Sequence, residues 1–192
     1  MYLYRKGMSY KLFTFYLVYV LAVETGFHVL RNMYVNNIFL AHYYFIGQAV
    51  LLNLFYFRLL ESGRLKRMQL ITTAVLSMAV IVNIAIRKHN NETFDLLEVV
   101  LCNTSVVVCM LLYLYDRIDK QKIYYLSTAS LLAYTIASTI IFVSANLIIS
   151  LRSPAYTRYI WTLNIILFVL LQLVILYDAV KSTRKPIPWV TK

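Results

Sequence analysis

The stretch VETGFHVLRNMYVNNIFLAHYYF, residues 23 to 45, gathers Glu24, His28, Asn36, Asn37 and His42, side chains able to bind, to donate hydrogen bonds or to exchange a proton. Glu24 and His28 are four residues apart, so on a helix they share a face. Further along stand Gln48, Asn83, Asp95, Glu98, Asn103, Asn146 and Asn164, each set among long apolar runs. A carboxylate and imidazole set of this kind can ligate a metal, serve as acid and base, or line a path for an ion. Which of these applies depends on the solvent, and therefore on the elements that carry the residues.

The composition points to lipid. Of 192 residues, 61% are hydrophobic and only 14% charged, against roughly 25% charged in an average soluble domain. Folding in water would leave apolar stretches with too little charge to keep them dispersed. Six continuous apolar runs are legible, at about 11–30, 38–60, 68–87, 95–115, 124–150 and 157–178. Each is close to the ~20 residues that a helix needs to cross a bilayer. The three prolines, Pro154, Pro186 and Pro188, all lie outside these runs. A barrel would need short segments of alternating polarity, which the continuous runs do not provide. The expected fold is therefore all-α, a polytopic transmembrane helical bundle of six spans forming one domain over 1–192. The first run has basic flanks in Arg5, Lys6 and Lys11, but it contains Glu24 and lacks a small-residue cleavage site, so it reads as a span rather than a signal peptide.

Charge sets the expected orientation. Fourteen of the 19 Lys and Arg residues lie in the N-terminal segment, the second and fourth connections and the C-terminal tail; five lie in the other connections. By the positive-inside rule both termini are cytoplasmic. The net charge of +11 is then accounted for by topology and anionic lipid. It also leaves a basic cytoplasmic face, Arg64, Lys66 and Arg67 in ESGRLKRMQ with Arg117, Lys120 and Lys122 around DRIDKQK, that could hold RNA or a protein carrying it. Many of the 17 tyrosines cluster at span ends, as interfacial anchoring requires.

In this orientation Glu24, His28, His42, Gln48, Glu98 and Asn164 lie in the outer half of the bundle. Ionisable groups in a span face the bundle interior and find partners, so Glu24 and Glu98 are expected to point into a shared polar core. That core serves as interhelical glue, as a path for an ion or small molecule, or as an intramembrane enzyme site using His28, His42, Glu24 and Glu98. Nothing in the sequence calls for a metal or cofactor: there is no CxxC, HExxH, GxSxG or Gly-rich phosphate loop. Cys102 and Cys109 are seven apart, about 10 Å along a helix, and read as packing residues. Of two sequons, Asn103 lies inside a span, and Asn91 matters only in a secretory pathway. The preferred location is a bacterial inner membrane.

The order of Glu24, the NNIFLAHYYFIGQ opening of the second span, LLEVVLCNTS opening the fourth and YIWTLNII in the sixth resembles a diffuse group of small multi-pass bacterial membrane proteins. Gln48 stands where that group often has an acid. In size, hydrophobicity and basic loops the chain also resembles the membrane accessory proteins of type VI-B CRISPR systems. That resemblance implies a non-enzymatic regulator of an RNA-guided antiviral ribonuclease, with the nuclease or its RNA as partner. A homo-oligomer is a further expectation, since a ring of copies offers the width for a pore that six helices lack.

Overall fold

A computed structural model describes residues 7–35, 37, 39–86, 95–118, 124–150 and 154–184, with side chains placed outside 146–150, 154–158 and 182–184. The described residues form six α-helices and no strand: α1 (Gly7–Asn32), α2 (Phe39–Leu59), α3 (Gly63–Ile86), α4 (Leu96–Asp116), α5 (Tyr125–Ser150) and α6 (Pro154–Arg184). Five of them, all but α2, are long and apolar enough to cross a membrane.

The helices outrun the apolar runs where polar residues still favour helix. α3 starts at Gly63 because Ser62 accepts the first helical bond, from the Lys66 N–H, so the turn GRLKR is already helical. α6 begins at Pro154, a residue pre-set for a first helical position, and continues to Arg184. Apolarity marks where hydrocarbon begins, whereas backbone hydrogen bonding marks where the helix begins. α1 ends in a Schellman turn: Tyr34 takes a left-handed conformation (φ 57°), its N–H bonds the Arg31 carbonyl, and the Val35 N–H reaches back to Leu30 at 3.0 Å.

The chain divides into two compact units, 1–116 and 117–192. In the first, α2 packs against α1 on one side and α4 on the other, and α3 lies against α4 and touches α2. α1 offers α2 a narrow stripe, Phe13, Tyr16, Val20 and Val23, at three- and four-residue spacing. The Phe13 and Phe55 rings meet 5.1 Å apart, and the Tyr19 hydroxyl donates to the Tyr43 carbonyl. Gly47 makes this approach possible, because a Cβ there would collide with the Tyr19 ring.

α2 and α4 run parallel and in step. His42 meets Glu98, Asn53 meets Cys109, and the N–H of Glu61 meets Asp116, at sequence separations of 56, 56 and 55. The constant offset holds these two helices side by side along their whole length. α2 thereby sets His42 and Asn53 against α4, so these polar side chains need not face hydrocarbon. Gln48 and Asn53 are both buried.

The second unit is an antiparallel hairpin of α5 and α6. Tyr134 stacks near Phe168, and Phe142 meets Trp161 edge-on with centroids 5.3 Å apart. At its open end Asp178 accepts from both the N–H and the hydroxyl of Ser127. A carboxylate on α6 thus caps the N-terminus of α5, where the helix leaves donors without intrahelical partners.

Candidate functional site

The polar groups of the first unit form a seam along α2, α3 and α4, built in rungs. At the end where α4 begins, Asp95 is the N-cap: its Oδ1 accepts from the N–H groups of Leu97 (3.0 Å) and Glu98 (3.3 Å). Its Oδ2 accepts from Asn83 Nδ2, which ties the end of α3 to the start of α4. One turn into α4, Glu98 is 2% exposed and its Oε2 lies 2.7 Å from His42 Nδ1. Glu98 Oε1 is buried and meets no hydrogen-bond donor.

The next rung is centred on Asn53. Its Nδ2 donates to the Ala49 carbonyl at 2.7 Å and to Ser105 Oγ at 3.0 Å. Its Oδ1 accepts from Thr73 Oγ1 at 2.6 Å and from the Cys109 thiol at 2.7 Å, and its backbone carbonyl accepts from Gln69 Nε2 at 2.8 Å. One residue of α2 thus binds two on α3 and two on α4. Tyr56 and Tyr113 pack beyond it, both wholly buried, with ring centroids 5.5 Å apart. The seam closes where Asp116 Oδ2 accepts from the Glu61 N–H at 2.9 Å.

The sequence-predicted residues distribute unevenly over this frame. His42 and Glu98 are brought into direct contact, and Gln48 is buried on the same helix as His42 with its Oε1 unpartnered. Glu24 is half-buried on α1, where its electrostatic neighbour is His28, itself exposed. Among the described residues no three His, Cys, Asp or Glu side chains converge as a metal site would require. The set His28, His42, Glu24 and Glu98 is therefore divided between an α1 pair and an α2–α4 pair. Asn164 belongs to the second unit and has a buried Oδ1 without a donor. Asn36, His89 and Asn91 lie outside the described residues, as does the side chain of Asn146. Cys102 and Cys109 are buried free thiols.

The helix directions also gather charge. Lys11 at the start of α1, Arg58 at the end of α2, and Arg64, Lys66 and Arg67 at the start of α3 come to one end of the first unit. Lys11, Arg58, Arg64 and Arg67 are exposed there, and Lys66 lies 5.8 Å over the Phe57 ring. At the opposite end the described residues include one Lys or Arg, Arg31. Arg117 differs from the other basic residues in being only 6% exposed. Lys120 and Lys122 lie outside the described residues.

Asn53 is the functional or structural centre that sequence reading missed. A single amide in LLNLFYF carries no pattern, and its partners Thr73, Ser105 and Cys109 are ordinary residues of membrane helices. The only available hint was an Asn in mid-span, a polar group that needs partners in hydrocarbon. No protein-family model, curated protein or solved structure matches this chain.

Proposed function

We propose that this is a six-span protein of a bacterial inner membrane, with both termini cytoplasmic, that acts without catalysis as an accessory regulator. The basic end of its first unit is then the cytoplasmic surface, and its partner is RNA or a protein that carries RNA. An RNA-guided antiviral ribonuclease of the type VI-B CRISPR class is the partner implied by the chain's resemblance to the accessory proteins of those systems.

One observation carries this reading: four of the five exposed cations of α1, α2 and α3, all but Arg31, collect at one end of the unit while the buried polar groups are mostly engaged with one another. Cations beside a membrane are favoured on the cytoplasmic side. A cluster of them offers a phosphate backbone the salt-dependent attraction on which nucleic-acid binding rests. α2 completes the sixth crossing, since its 21 residues span about 31 Å at the α-helical rise, and its mid-helix polar side chains Gln48 and Asn53 are buried.

The test is binding of single-stranded RNA to inverted membrane vesicles containing the full chain. Replacing Arg58, Arg64 and Arg67 with Gln is expected to weaken binding at least about tenfold and to flatten its salt dependence by roughly 0.7 per lost phosphate contact. Binding and salt slope unchanged, with the variant inserted normally, would remove this reading.

A further inference from the structure

Three of the five buried or half-buried acids among the described residues, Asp95, Asp116 and Asp178, accept backbone N–H groups at or beside helix ends. Asp95 has both oxygens taken, by two α4 N–H groups and by Asn83. Asp178 receives Ser127 through two donors, and Asp116 receives the Glu61 N–H. Glu98 is built differently. Asp95 and Glu98 have the D-x-x-E spacing of a capping box, in which the glutamate would turn back to the N–H of the cap residue. Here the carboxylate turns across to α2 instead, sets Oε2 against His42 Nδ1 at 2.7 Å, and leaves Oε1 buried without a donor.

A carboxylate half of whose charge meets neither water nor a donor is strongly disfavoured. Binding one proton removes the cost, and the imidazole in contact with the carboxylate is the side chain placed to deliver it. The two members differ in access: 23% of the His42 side chain is exposed, against 3% for Glu98. We propose that His42 and Glu98 form a proton-binding site, loaded through His42 from the end of the bundle where α2 and α4 begin.

The exchange balances simply. A proton from the medium binds the imidazole, giving an imidazolium whose Nδ1–H donates to Oε2. Transfer breaks that N–H bond and forms O–H on Oε2, leaving neutral imidazole as acceptor and a neutral acid. Oε1 is then a carbonyl oxygen, whose burial costs far less than that of an anion. The groups nearby are few. Cys102, one turn further along α4, lies within electrostatic reach of Glu98. Asp95 lies one turn before it and is saturated. From α3 the neutral Asn83 faces Asp95, while Glu24 and His28 lie on α1, which packs on α2. The site is at the opposite end of the unit from the basic cluster and does not depend on the partner proposed above.

Infrared difference spectroscopy of the full chain in lipid nanodiscs, titrated over the pH range in which its helix content stays constant, tests this. The expected result is a protonated-carboxyl band that appears on acidification and shifts in heavy water. It should be lost in Glu98→Gln, retained in Glu24→Gln, and moved in midpoint by His42→Gln. No titrating carboxyl band, or one that survives Glu98→Gln, overturns the proposal. Should Glu98→Gln fail to fold, His42→Gln decides alone: a midpoint left where it was in the unsubstituted chain also overturns it.

Discussion

Asn53 joins three helices through one side-chain amide and one backbone carbonyl. Its amide makes three interhelical bonds, to Ser105, Thr73 and Cys109. Each such bond in a membrane bundle averages about 0.6 kcal/mol, because the unfolded chain in lipid also finds partners. Asn53→Leu is therefore expected to destabilise the bundle by roughly 2 kcal/mol, and Thr73→Ala by about 0.6 kcal/mol, as measured by reversible unfolding in mixed detergent micelles. Equal losses from the two variants would mean that Asn53 is not the hub. His42, Gln48 and Glu98 were legible as residues of interest because ionisable and amide groups stand out in apolar runs. Their pairing was not legible, since it depends on α2 and α4 lying parallel with an offset near 56 residues, and no local pattern encodes that. Glu24 and His28 show the converse. Their four-residue spacing made them neighbours of each other and said nothing about which helix lay opposite.

At the scale of elements, hydrophobic length located all six helices and, to within one residue, both ends of α2, α4 and α5, whereas α1, α3 and α6 begin before their apolar runs. The ends are set by short-range chemistry: Ser62 starts α3, Tyr34 terminates α1, and Asp95 starts α4. Asp95 also holds Asn83, so one carboxylate fixes both where α4 begins and how α3 approaches it. Removing an N-cap costs ~1 kcal/mol, with a range of about 0.5–2 kcal/mol. Asp95→Ala is accordingly predicted to lower stability by about 1–2 kcal/mol and to speed hydrogen exchange at the Leu97 and Glu98 amides, with exchange near Asp116 unchanged. Uniform acceleration along α4 would instead mean that the cap supports the whole helix. The apolar count underrates α2 for a related reason. A helix placed between α1 and α4 is solvated by protein, so its polar residues carry less penalty than the same residues facing lipid.

At the scale of the molecule, the first unit arranges its side chains along one axis: a buried His–Glu pair near one end, an amide hub farther along, and exposed cations at the other end. The exposed apolar residues of α3 and α6, among them Ile71, Val75, Met78, Leu163, Val169 and Leu173, are what a bilayer would cover. Composition alone made the membrane legible, because so few charges among so many apolar residues leave water no surface to solvate. The division into units at residues 116 and 117 falls at the polar connection DRIDKQK, but ESGRLKRMQ is as polar and marks no division, so composition alone did not make it legible. The claim on which the rest depends is that α2 crosses the membrane despite its polar residues. Single-cysteine labelling with an impermeant thiol reagent tests it most directly, using Tyr34→Cys, just before α2, and Ser62→Cys, just after it; Cys102 and Cys109 are buried. The account predicts that Tyr34→Cys reacts in intact cells and that Ser62→Cys reacts only after the membrane is opened. Labelling of both from the same side would contradict it.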